Sequence, residues 1–204
     1  MANQLTTGAK PHPAARFISN ILIPPTWSIA LIWAISIYFG RSAKQILLWG
    51  GVGSFFAAVL PVLYVAWLHK HGKVSQFHIP LRSQRHAPYL LSAALLVLTY
   101  FFLWILKAPT LLLAATLASL GNTLFIFIVN IFWKISAHMM GAAAPLIAFS
   151  FAFGKWVLPF YLLLLAIGWA RVKLKAHTVA QVLAGGLAGL ILTYIQLVFY
   201  LKWL

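Results

Sequence analysis

Apolar residues arrive in seven runs, near residues 17–39, 46–68, 88–106, 109–132, 138–153, 156–170 and 178–201, each bounded by a short polar or basic stretch. A helix of about 20 apolar residues matches the hydrocarbon thickness of a bilayer. The pattern therefore predicts an all-α, polytopic helical membrane protein forming one transmembrane domain over 1–204. The fifth and sixth runs are short, at sixteen and fifteen residues, and are expected to extend into their flanks or to tilt little. Pro24-Pro25 lies inside the first run, where proline breaks helices. The first run thus reads either as one span or as an interfacial piece followed by a shorter one, giving six or seven transmembrane helices. It follows a polar tail and lacks a small-residue cleavage site, so it is expected to be retained rather than removed as a signal peptide. Trp67, Tyr89, Trp133, Trp156, Trp169 and Trp203 stand near run ends, where aromatic belts meet headgroups.

Charge changes the picture more than composition does. The chain is 63% apolar or aromatic, with no cysteine, fifteen Lys/Arg and neither Asp nor Glu. Thiol catalysis, disulfides and carboxylate-caged metal sites are excluded, and no cofactor is expected. With seven spans, ten of the fifteen cations collect on one face: Lys10, Arg16, Lys70, Lys73, Arg82, Arg85, Lys134, Arg171, Lys173 and Lys175. The positive-inside rule would make that face cytoplasmic, unless the cations serve an anion site. Dispersed cations in short loops point to membrane lipids as partners and give no basic domain for nucleic acid. Gln45, Gln76, Gln84 and Gln181 occupy places where a carboxylate would look natural, beside cations or at helix starts.

Three polar clusters converge on the crowded face. Arg82-Ser-Gln-Arg85-His-Ala-Pro88-Tyr89 precedes the third span, Lys134-Ile-Ser136-Ala-His138 opens the fifth, and Ala170-Arg171-Val-Lys173-Leu-Lys175-Ala-His177-Thr-Val-Ala-Gln181 joins the sixth to the last. Each sets Arg or Lys beside Ser or His at a membrane boundary, where guanidinium forks and helix N-termini hold oxyanions. A phosphate is the ligand such groups suit. His177 and Gln181 share one face of the last helix, which Gly185 and Gly189 continue as a close-packing stripe. Asn122 and Asn130, eight apart in the fourth span, are expected to hydrogen-bond between helices.

The spacing Arg171, five residues, His177, three residues, Gln181 resembles the third signature of the type 2 phosphatidic acid phosphatase (PAP2) superfamily, which carries Asp at its last position. Ser136-Ala-His138 is similar to the core of the second signature, and Arg85 with Pro88 resembles the first more loosely. The resemblance covers about 82–189. Ala170, Ile135 and Ala137 depart from the family's Ser, Pro and Gly, and His78 stands where it has Lys. These departures suit a divergent bacterial or archaeal branch in the cytoplasmic membrane, with a PAP2-like core. The resemblance implies a metal-independent lipid phosphatase or pyrophosphatase acting through phosphohistidine. His177 would be the nucleophile, His138 the general acid and Gln181 the orienting group. Arg171, Arg85, Arg82 and Ser136 would hold the phosphate of a phosphatidate-like or prenyl-diphosphate-like lipid, whose tail stays in the bilayer. Better-known family members carry the site away from the cytoplasm. Because Gln181 supplies no charge, the alternative is a catalytically impaired relative that binds lipid phosphate or serves as a subunit of a membrane complex.

Overall fold

The computed structural model describes residues 12–76, 79 and 81–204, so Lys10 and His78 lie outside the described residues. The described chain is helical, without a strand: α1 Pro13–Ile21, α2 Pro24–Phe39, α3 Ala43–Ser54, α4 Leu60–Lys70, α5 His86–Ile105, α6 Thr110–Phe132, α7 Ala137–Phe153, α8 Leu162–Lys173 and α9 Val179–Trp203. Five helical stretches are long and apolar enough to cross a membrane: Ala43–Lys70, Arg82–Ile105, Thr110–Phe132, Ala137–Lys173 and Val179–Trp203. The pair α1 and α2, bent by 45°, would make a sixth. The bend falls at Pro24-Pro25, which opens α2. Their rings fix φ and lack N–H groups, so α1 cannot continue through them.

Amides, hydroxyls and prolines start these helices where carboxylates often do. Ser42 Oγ accepts from the Gln45 amide at 3.3 Å while Gln45 Oε1 accepts from the Arg41 amide at 2.9 Å. Thr178 and Gln181 form a full capping box at the start of α9, and Ser136 Oγ accepts the Met139 N–H at 3.4 Å to cap α7. Each bond satisfies an N–H that the first helical turn would leave unpaired. Three helices end alike, in the paired 6→1 and 5→2 bonds of a Schellman motif. Gly72 (φ 68°) closes α4, Lys107 (φ 53°) closes α5 and Lys175 (φ 52°) closes α8.

Two irregularities shape the interior. A π-helical turn, Phe55–Val59, joins α3 to α4 just before Pro61, which has no N–H for an ordinary α-helical bond. At Gly154 the backbone takes φ 60° and ψ −139°, a conformation open in practice only to glycine. A 3₁₀ segment, Gly154–Tyr161, then leads into α8. Although helical segments follow one another without a gap from Ala137 to Lys173, the break at Gly154 reverses the direction: Lys134 Nζ, just before α7, donates to the Ala176 carbonyl, just after α8, at 2.8 Å. The expected fifth and sixth runs are the two arms of this hairpin.

Leu31, Ile35, Leu103, Leu112 and Leu197 form the main core, all 5% exposed or less. α9 lies close on α7, where an added Cβ at Gly185 would sit 2.5 Å from the Ser136 carbonyl oxygen and one at Gly189 would sit 2.8 Å from Ala143 Cβ. Asn122 Nδ2 donates to Thr193 Oγ1 at 2.7 Å and its Oδ1 accepts from Gln196 Nε2 at 3.1 Å, tying α6 to α9. Outward faces carry Phe101, Trp104, Ile128, Leu165, Leu187 and Ile195, all large, apolar and exposed.

Candidate functional site

At the end of the bundle where α5, α7 and α9 begin and α8 ends, four basic side chains border one cavity of about 320 Å³: Arg85, His138, Arg171 and His177. Arg85 closes the short 3₁₀ turn Arg82–Arg85 before α5. Arg171 occupies the last turn of α8, and His138 lies in the first turn of α7. His177 follows the Schellman turn, whose Ala176 and His177 amides both donate to the Arg171 carbonyl, at 3.1 and 3.3 Å. That turn sets His177 beside Arg171.

Both arginines are buried, Arg85 at 6% and Arg171 at 4% exposure. Arg85 Nε donates to the Ile79 carbonyl at 2.9 Å, and Arg171 Nη1 donates to Ser19 Oγ at 2.6 Å. Arg85 Nη1 and Arg171 Nε are buried without a hydrogen-bond partner among the described residues. The sequence contains no Asp or Glu that could neutralise either guanidinium. Two buried like charges with donors to spare are costly without a counter-ion, and a multiply charged oxyanion supplies both charge and acceptors.

His177 is 6% exposed, and its Nδ1 lies 3.1 Å from Gln181 Oε1. Because Gln181 Oε1 also accepts the Thr178 N–H at 3.3 Å, it is the carbonyl end of the amide that faces both. The bond therefore selects the Nδ1–H tautomer and leaves Nε2 as a lone-pair nitrogen. Burial first, then the positive charges of Arg171, Arg85 and Lys134, lower the His177 pKa to about 3, against a smaller raising effect of Gln181. At neutral pH the imidazole is uncharged. Lys134 also titrates below its ordinary range, through burial, Arg85 and Arg171.

The remaining sequence-nominated groups take other places. Gln181 stands behind His177. Ser136 is fully buried and committed, with Oγ capping α7 and N–H donating to the Gln181 carbonyl at 3.2 Å. It joins α7 to α9 rather than bordering the cavity. Arg82 is exposed, and its guanidinium donates to the Phe132 carbonyl, while its own carbonyl accepts from Asn130 Nδ2 at 3.0 Å. Arg82 and Asn130 thus brace the turn before α5 against the end of α6. Ser19 was missed: its only sequence signal is that Ala15 and Ser19 form the small buried face of α1.

Compared with protein-family models, curated proteins and solved structures, the chain shows no significant match.

Proposed function

We propose that this chain is a polytopic membrane protein whose PAP2-like site hydrolyses a lipid phosphate or diphosphate through a phosphohistidine intermediate. Counting α1 with α2 as one pass and α7 and α8 as two, the chain crosses the membrane seven times. The observation that carries the reading is the pair of buried, acid-free guanidiniums, Arg85 and Arg171, facing one cavity with two histidines.

The arrangement supports the following chemistry. Arg85 Nη1 and Arg171 Nε bind phosphoryl oxygens and stabilise the charge that builds on them in the transition state. Neutral His177 attacks phosphorus with Nε2, forming the N–P bond as the P–O bond to the alkoxide breaks. His138, entering protonated, gives its proton to that alkoxide. Neutral His138 then takes a proton from water as the water oxygen displaces His177 from phosphorus, restoring both rings. Gln181 keeps Nδ1–H directed away from the reacting centre throughout. Lys134, which donates to the Ala176 carbonyl, secures the loop that carries His177.

Phosphate release by the detergent-solubilised protein from phosphatidic acid and from a prenyl diphosphate tests the reading. His177→Ala is expected to reduce release to background; equal release by both proteins would overturn the enzymatic claim. Gln181 favours a second reading, a lipid-phosphate-binding relative or membrane-complex subunit with little turnover, because a neutral amide does not stabilise the phosphoimidazolium as a carboxylate does. Under that reading phosphate lipids bind both proteins but neither hydrolyses them.

A further inference from the structure

The cavity beneath the basic cluster is deep. Along α5 its wall runs from the Arg85 end to Leu96, eleven residues, or about 16 Å at 1.5 Å per residue. Along α6 it reaches Ser119, Asn122 and Thr123, near the middle of that helix. The space exists because small residues and helix irregularities meet there: Ala57 of the π turn, Pro61 of α4, and Gly141, Ala144 and Pro145 of α7 border it.

Apart from Ser92 on α5, the hydroxyls and the amide in the depth are already engaged. Ser28 Oγ donates to the Pro24 carbonyl at 3.2 Å, Ser119 Oγ to Ala115 at 2.8 Å, and Thr123 Oγ1 to Ser119 at 2.8 Å. The Asn122 amide is occupied by Thr193 and Gln196 on α9. Hydroxyls and amides bonded in this way offer little to a sugar, nucleotide or peptide, whose own polar groups would lose water without compensation. Hydrocarbon loses nothing of the kind. The volume of about 320 Å³ sits at the low end of the roughly 300–1,000 Å³ of small-molecule sites. The cavity's depth of about 16 Å, at roughly 1.2 Å of advance per bond of an extended chain, as in polypeptide, takes on the order of ten methylenes.

We propose that the ligand is a lipid phosphate one of whose chains lies, for its first ten or so carbons, inside the helix bundle, between α2, α4, α5, α6 and α7, rather than in the surrounding bilayer. The inference rests on the lipid-phosphate reading above and adds where the tail goes. Arg85 and Arg171 hold the phosphate at the cavity mouth, so headgroup and tail are read by one continuous site.

Two measurements test it. The first is binding of n-alkyl phosphates from butyl to hexadecyl to the full chain in detergent. Affinity is expected to rise with chain length to about decyl and then level off. Ala144→Phe, which fills the depth from α7, should weaken decyl phosphate at least tenfold and leave butyl phosphate within twofold. An unchanged length profile in Ala144→Phe would overturn the internal tail site, as would inorganic phosphate competing as well as decyl phosphate. The second uses the unsubstituted protein, so it does not depend on the variant folding: photolabelling with decyl phosphate carrying a terminal diazirine. Labels are expected on α6 near Ser119–Thr123 and on α5 near Leu96. Labels confined to outward residues such as Phe101 and Leu165 would overturn the internal site alone. Equal labelling of the interior by the matching alcohol would instead remove the anion site, and with it the lipid-phosphate reading.

Discussion

At the scale of single residues, the His177–Gln181 pair sets what the site can do. An isolated histidine titrates near 6.5, whereas burial and three cations bring His177 to about 3. Its folded-state pKa is lowered, so between those values the unfolded chain binds the extra proton. The histidine's contribution to stability is therefore intact above about pH 6.5 and is lost progressively as pH falls toward 3. Imidazole ¹⁵N shifts recorded during an acid titration are expected to show His177 uncharged down to about pH 4, with His177→Gln removing this part of the acid destabilisation. Bound phosphate offsets the cations and should raise the His177 pKa. Gln181→Glu keeps the side-chain length that reaches both His177 and the Thr178 amide while adding the missing charge. If the site is catalytic, this change is expected to increase phosphate release by about 10² or more, scaled down from the roughly 10⁴ that separates carboxylate from amide behind a catalytic histidine. Steady-state release, with ³¹P detection of the phosphohistidine, checks it.

At the scale of elements, the apolar runs placed most helices within a few residues, because a long apolar run in a membrane has little alternative to helix. Within a run the pattern carries less information. Phe55–Val59 reads the same whether α or π, and only Pro61 hints at the change. The sixth run begins at 156 by hydropathy, yet α8 begins at Leu162, since Gly154 and Pro159 hold the intervening turn in 3₁₀ form. Of the three Schellman endings, one falls on the glycine such a turn favours, Gly72, and two on lysines, Lys107 and Lys175, that carry no such mark in the sequence. A lysine in the left-handed region bears a steric cost of roughly 1–2 kcal/mol, partly offset by its charge near the helix C-terminus. Lys107→Gly, far from the cavity, is expected to stabilise the fold by up to about 1 kcal/mol. Thermal unfolding in detergent at fixed pH measures that gain.

At the scale of the whole molecule, the three basic clusters meet as their placement on one predicted face implied, but side-chain direction did not follow from sequence. Arg85 turns inward and Arg82 outward although only two residues separate them, because the 3₁₀ turn pins Arg85 Nε to Ile79 while Asn130 and Phe132 hold Arg82 at the end of α6. The buried Arg85 and Arg171 then give the fold a conflict that no residue of this acid-free chain resolves. Removing one partner of a buried ion pair usually strands the other; here there is no pair, only two like charges. Arg171→Met is therefore expected to leave the ligand-free protein as stable as the unsubstituted one, or more so, with only the Ser19 hydrogen bond lost. The same change should abolish stabilisation by anions. For the unsubstituted protein, a single-chain phosphate at a hundred times its Kd is expected to add about 2.7 kcal/mol to unfolding, and Arg171→Met should show almost none of it. Unfolding curves with and without decyl phosphate compare the two. A variant that loses stability without ligand yet still responds fully to decyl phosphate would mean that Arg171 serves the packing of α1 on α8, and that the anion is held elsewhere.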